Sequence, residues 1–173
     1  MLVVIGVGNV LLSDEGLGVH VVKLLSRHFH LPPEVSLVDG GTLGWELVPE
    51  LEKARSLIIV DAISGGKAPG TVYQLEGDAV LRYFRQKISA HEAGIQEVLA
   101  YLQMKGKRFE PLVVLGVEPQ TLETGITLSA PVAGALPEIF RRLSKLLQAE
   151  GYSMAGTPPT AEELHQYLET MVP

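Results

Sequence analysis

Leu2-Val3-Val4-Ile5-Gly6-Val7-Gly8-Asn9-Val10-Leu11-Leu12-Ser13-Asp14-Glu15 decides how the chain is read. Residues 2–7 are an unbroken apolar run rich in β-branched side chains, the pattern of a strand buried on both faces. Gly6 and Gly8 close it. A helix is expected over residues 14–29, with Leu17, Val21, Leu24 and Leu25 on its inner side. A second strand over residues 35–38 ends at Asp39-Gly40-Gly41. A helix over residues 43–53 then leads to a third strand over residues 57–60, ending at Asp61. Strand, helix, strand, helix, strand implies a parallel, doubly wound sheet.

The pattern changes after Asp61. Residues 71–75 read as a fourth strand, but residues 62–70 are too few for a helical crossover, which takes about a dozen residues. The fourth strand is therefore expected to run antiparallel, at or near an edge. Residues 78–88 form a variable stretch without an assigned element. A helix over residues 90–104, a strand over 112–117 and a long amphipathic helix over 131–150 complete the pattern. The expected fold is α/β: a doubly wound, mostly parallel five-stranded sheet with one antiparallel strand and helices on both faces. One domain is expected over residues 1–150, with residues 151–173 an appended, loosely held linker and short helix. Thr160-Ala161-Glu162-Glu163 has the form of a capping box at the start of that helix.

Composition narrows the function. With 173 residues, 46% hydrophobic and 20% charged, the chain is long and apolar enough for a sizeable core. A net charge of −6 without a Lys/Arg cluster argues against nucleic acid as a partner. The chain has no cysteine, which excludes a disulfide framework, a zinc–thiolate site and a thiol nucleophile. Met1–Gly6 lacks the basic region of a signal peptide, and no apolar run approaches the ~18–20 residues of a membrane span. A cytoplasmic protein acting away from the membrane is expected, and a monomer is the simplest state.

A glycine loop after a first strand also raises the dinucleotide-binding reading. That fingerprint needs a third glycine at position 11, where Leu11 stands. Asp14 and Glu15 follow, and they would repel a pyrophosphate. No nucleotide cofactor is expected.

Ligands of a parallel sheet bind beyond the carboxyl ends of the strands, where strand order reverses. Glu15 follows strand one, Asp61 ends strand three, and Asp39 ends strand two on the same edge. His91 begins a later helix. Ser89-Ala90-His91-Glu92 fits a capping box, which puts His91 in the first helical turn. The positive end of the helix disfavours imidazolium there, so the ring stays neutral and able to bind metal. Two carboxylates and one imidazole suit nickel or zinc with open positions. Each residue also has a purely structural reading. Asp14 and Glu15 can complement a helix dipole, Asp61 and Asp39 can serve turns, and His91 can be an exposed first-turn histidine. His20, His28, His30 and His165 read as surface or packing residues. Trp45, Leu47 and Val48 fall in a predicted helix over the sheet, which favours core packing for most of them over docking a partner.

The stretch from Gly6 to Val19 closely resembles the opening motif of the nickel–iron hydrogenase maturation proteases, the hydrogenase-processing C-terminal endopeptidases. Asp39-Gly40-Gly41-Thr42-Leu43-Gly44, Val60-Asp61-Ala62, Ser89-Ala90-His91-Glu92 and Leu115-Gly116-Val117-Glu118-Pro119 resemble their later motifs, in order. The resemblance implies an endopeptidase that removes the C-terminal extension of the hydrogenase large-subunit precursor. It also implies that nickel, already inserted in that substrate, is the recognition element, contacted by Glu15, Asp61 and His91. Asp39 is assigned to positioning the peptide or acting as general base. No Ser–His–Asp order suggests an acyl-enzyme, so attack by water is expected. A self-sufficient zinc peptidase often carries His-Glu-x-x-His, absent here. The rival readings are a metallohydrolase of similar fold holding its own metal, and a non-enzymatic nickel chaperone or docking module.

Overall fold

The computed structural model describes residues 1–86 and 93–171. Strand β1 (Leu2–Val7) is followed by a 3-10 turn (Ser13–Gly16) and helix α1 (Leu17–His28). Strand β2 (Phe29–His30), strand β3 (Val35–Gly41), a second 3-10 turn (Trp45–Leu47), helix α2 (Val48–Lys53) and strand β4 (Ser56–Ala62) come next. Strand β5 (Val72–Glu76), helices α3 (Asp78–Gln86) and α4 (Ala93–Met104), and strand β6 (Leu112–Val117) continue the chain. Helix α5 (Ala130–Ala149), strand β7 (Ala155–Gly156) and helix α6 (Ala161–Glu169) end it.

The main sheet has the order β3-β1-β4-β6-β5. β1 pairs in parallel with both β3 and β4, and β4 pairs in parallel with β6. β5 is antiparallel to β6 and lies at the edge, as the short connection before it requires. The α/β architecture expected from the sequence is the one observed. A second, two-stranded sheet pairs β2 with β7.

Every residue of β1, β4 and β6 is buried, which is why these strands are continuous apolar runs. Their side chains alternate between two cores. Leu2, Val4, Ile58, Val60, Val113, Leu115 and Val117 face the layer of α1, α5 and α6. Val3, Ile5, Val7, Leu57, Ile59, Leu112 and Val114 face the layer of α2, α3 and α4. Gly18 lets α1 lie against the strands: a Cβ there would run into the carbonyl oxygen of Val60.

Three expectations change in detail. The region expected as variable contains helix α3, held by Val80 and Phe84 at helical spacing. The helix expected over residues 14–29 begins as a 3-10 turn and gives Phe29 to β2. Trp45 precedes α2 and is 54% exposed, whereas Leu47 is buried. The capping box at Thr160 and Glu163 forms as read, and α6 lies on the core with Tyr167 and Leu168 buried. Ser89, His91 and Glu92 lie outside the described residues. No helix among the described residues is long and apolar enough to cross a membrane.

Candidate active site

β1 and β4 are neighbours, with Gly6 level with Val60, so the chain leaves β1 beside Asp61. Beyond this edge Glu15 and Asp61 line one cavity of ≈ 40 Å³, together with Gly8, Thr42, Phe84 and Gly94 among others. The structure thus brings together two of the carboxylates that the sequence singled out.

Gly8 makes the approach possible. Its φ of 126° is costly for a residue with a side chain. A Cβ on Gly8 would collide with the carbonyl oxygen of Glu15 and stand 3.8 Å from Asp61 Oδ1. The loops around the cavity are tied by the backbone, with the Gly8 N–H donating to the Gly41 carbonyl at 2.9 Å. Asp61 is 3% exposed, and its Oδ1 accepts the Ala62 N–H at 2.8 Å. That bond helps to fix the carboxylate at the end of β4.

Asp14 behaves differently from Glu15 next to it. Its side chain is fully buried, and it accepts from the backbone N–H groups of Gln120, Thr121 and Ser129 and from the Ser129 hydroxyl. Asp14 therefore ties the loop after β6 to the turn after β1, and Glu15 projects from the turn so fixed. Ser13, at φ 52°, reinforces this tie by donating from Oγ to the Glu123 carbonyl at 2.8 Å.

Asp39 ends up away from the cavity lining. Its carboxylate is about half exposed and lies 3.8 Å from Lys23 Nζ. Gly41, two residues on, does line the cavity. His91 lies outside the described residues, while Gly94 and Ile95, which follow it in the chain, line the cavity. Among the described residues no three side chains of ligand type converge.

Sequence reasoning gave no role to Glu118. This buried carboxylate accepts from the N–H of Gly65 at 2.7 Å and of Gly66 at 2.8 Å, and from the Tyr73 hydroxyl at 3.4 Å. It holds the loop that follows Asp61. Burial, and then the Glu118 charge, hold the Tyr73 phenol above its ordinary pKa. Only its place in the segment Leu115–Pro119 hinted at importance, because its partners come from a different part of the chain.

Residues 19–146 match the family model for hydrogenase maturation proteases. The hydrogenase 2 maturation protease of Escherichia coli K12 is 38% identical over 151 residues, covering 87% of this chain and 92% of that protein. The hydrogenase expression/formation protein HoxM of Azotobacter vinelandii is 38% identical over 165 residues, covering 94% of this chain and 80% of that protein. Among solved structures, the hydrogenase maturating endopeptidase HybD of E. coli superposes with a TM-score of 0.85 at 36% identity, covering 90% of this chain and 96% of that one.

Proposed function

This chain belongs to the hydrogenase maturation protease family, and we propose that it removes the C-terminal extension of a nickel-loaded hydrogenase large-subunit precursor. The observation that carries the reading is the shared cavity of Glu15 and Asp61, fed by adjacent parallel strands at the carboxyl edge of the sheet. That edge is where this class of sheet places its ligands.

In this reading the nickel arrives with the substrate, and Glu15, Asp61 and His91 engage it. The two carboxylates supply hard oxygen donors, and His91 supplies an imidazole nitrogen. The metal polarises the scissile carbonyl or the attacking water. Water adds to the carbonyl carbon, the C–N bond breaks, and the leaving nitrogen takes a proton. Asp39 positions the peptide or takes the water proton; Gly41, two residues on, lines the cavity. We assign the reaction to the cytoplasm and the enzyme to a monomer.

The test is to incubate the purified chain with nickel-loaded and nickel-free precursor and weigh the products by mass spectrometry. A C-terminal fragment from the loaded precursor alone is expected. Equal cleavage of both would sink the nickel-reading mechanism. Nickel transfer without any change of mass would make the chain a chaperone.

A further inference from the structure

Six large apolar side chains are exposed among the described residues: Met1, Leu11, Leu43, Trp45, Met104 and Leu122. Four of them, Leu11, Leu43, Trp45 and Leu122, lie in segments that follow the carboxyl ends of sheet strands. Apolar side chains exposed singly need no explanation, whereas several gathered at one edge of a sheet mark an interaction surface. Strand order divides these four into two pairs. Leu43 and Trp45 follow β3, on one side of the β1–β4 pair that carries Glu15 and Asp61. Leu122 follows β6, on the other side. Leu11 is tied to the segment that carries Leu122: its carbonyl accepts the Gly125 N–H at 2.9 Å, and the neighbouring Leu12 bridges to Gly125.

The cavity between the pairs is ≈ 40 Å³. One water needs roughly 10–15 Å³ of such space, so an ion and a water or two fit, and a large side chain does not. A polypeptide brought to Glu15 and Asp61 must therefore lie over the rim, across both pairs. Trp45 is held ready for this: its indole stands edge-on against Tyr101 at 5.3 Å between ring centroids, yet remains 54% exposed. A fixed, exposed tryptophan loses little side-chain freedom on binding, which is why it makes a strong anchor.

We propose that Leu43 with Trp45, and Leu11 with Leu122, form an apolar saddle that seats the substrate polypeptide on both sides of the scissile bond. The inference rests on the processing function proposed above. From β3 to β6 are three strand spacings, about 14 Å, which an extended chain covers in about four residues. The saddle thus selects apolar side chains within about two residues on either side of the bond. The grip is apolar and the reading is metallic, so the two are separable.

The experiment is steady-state processing of nickel-loaded precursor by Trp45→Ala and Leu122→Ser, with Met104→Ser as the control at the far end of α4. Each saddle variant should raise KM about tenfold with kcat within about twofold, while the control behaves as wild type. Unchanged KM in both saddle variants, or a fall in kcat alone, would overturn the saddle. Trp45 is the only tryptophan, so a 5-fluorotryptophan-labelled chain gives one fluorine resonance, which should shift when precursor is added. An unmoved resonance would also overturn it. A resonance that shifts while wild type leaves nickel-loaded precursor uncut would support the saddle and overturn the proposed function instead.

Discussion

Asp14 and Ser129 are joined twice: the Ser129 backbone N–H donates to Asp14 Oδ1 at 2.8 Å, and its hydroxyl donates to Oδ2 at 2.8 Å. Gln120 and Thr121 N–H groups complete the shell at Oδ2. A buried carboxylate is tolerated only when hydrogen bonds replace its water, and here the loop before α5 does so without a cation among these donors. The turn that carries Glu15 is thus set by residues more than a hundred positions away.

Ser129→Ala removes one charge-assisted hydrogen bond, worth about 1.5–3 kcal/mol. For a chain of this size that is a fall in Tm of roughly 3–12 °C. Asp14→Asn should cost more, because its amide nitrogen brings donors to a shell made of donors. Both should lower processing at a temperature where each is still folded, since Glu15 loses its fixed base. Thermal denaturation followed by circular dichroism, with cleavage measured well below Tm, checks this. An Asp14→Asn variant with wild-type Tm would remove the clamp.

Glu15→Gln and Asp61→Asn should each abolish most processing. Losing even a residue that only supports a metal ligand costs about 10–100-fold, so loss of an oxygen donor itself should cost about a hundredfold or more. Glu15→Gln should keep its Tm, because Glu15 is only half buried. Mass spectrometry of the released fragment reads the activity. Near-wild-type rates from both variants would move the site elsewhere.

The sheet was legible because its signals are local, and Asp61 because it stands at a strand end; Glu15 was singled out by the family resemblance. A strand covered on both faces must be apolar throughout, as at residues 2–7 and 57–60, and strand-end acids converge by topology. The antiparallel β5 followed from a connection too short to cross over. Helix α3 was missed because its apolar stripe, Val80 and Phe84 with Leu81 and Tyr83 beside them, runs over a segment of only nine residues. Nothing local separates Asp14 from Glu15. Which one turns inward is decided by donors at Gln120, Thr121 and Ser129, which sequence order does not place. Glu118 was missed for the same reason, with partners at Gly65, Gly66 and Tyr73.

His20 gives the protein an acid-sensitive core. It is fully buried, and burial first, then the Lys23 charge, lowers its pKa from 6.5 to about 4. Nδ1 meets the Tyr167 hydroxyl at 2.8 Å, and Nε2 is buried without a hydrogen-bond partner among the described residues. A proton added in the folded state would therefore lack an acceptor. The unfolded chain takes up that proton below about pH 6.5, and the folded chain only below about pH 4. The stability from the neutral ring is complete above 6.5 and is lost as pH falls from 6.5 to 4, by about 3 kcal/mol in all. Urea unfolding at pH 7.5, 5.5 and 4.5 should show this slope, and His20→Leu should flatten it. The same slope in both proteins would assign the acid sensitivity to other groups.

Helix α6 lays its inner side on the core near the end of the described chain. Tyr167 stands edge-on to His20 at 5.6 Å between ring centroids and lies under the Arg27 guanidinium at 4.9 Å. Tyr167 and Leu168 close the core of α1 and α5. Full burial of two such side chains is worth about 3–6 kcal/mol together, a large part of the roughly 5–15 kcal/mol that holds a domain folded. A chain ending at Gly156 should therefore melt roughly 6–24 °C lower than the full chain. Tyr167→Phe, which removes only the hydroxyl, should cost about 1–3 kcal/mol by leaving His20 Nδ1 without its partner. α6 packs on the sheet face opposite α3 and α4, whose Phe84 and Gly94 line the cavity of Glu15 and Asp61. The shortened chain should thus keep its cleavage rate at temperatures where it stays folded. Calorimetry beside a processing assay at low temperature separates the two effects. A shortened chain with unchanged Tm would show that the helix adds nothing to the fold, and one that stays folded but inactive would give it a part in the reaction.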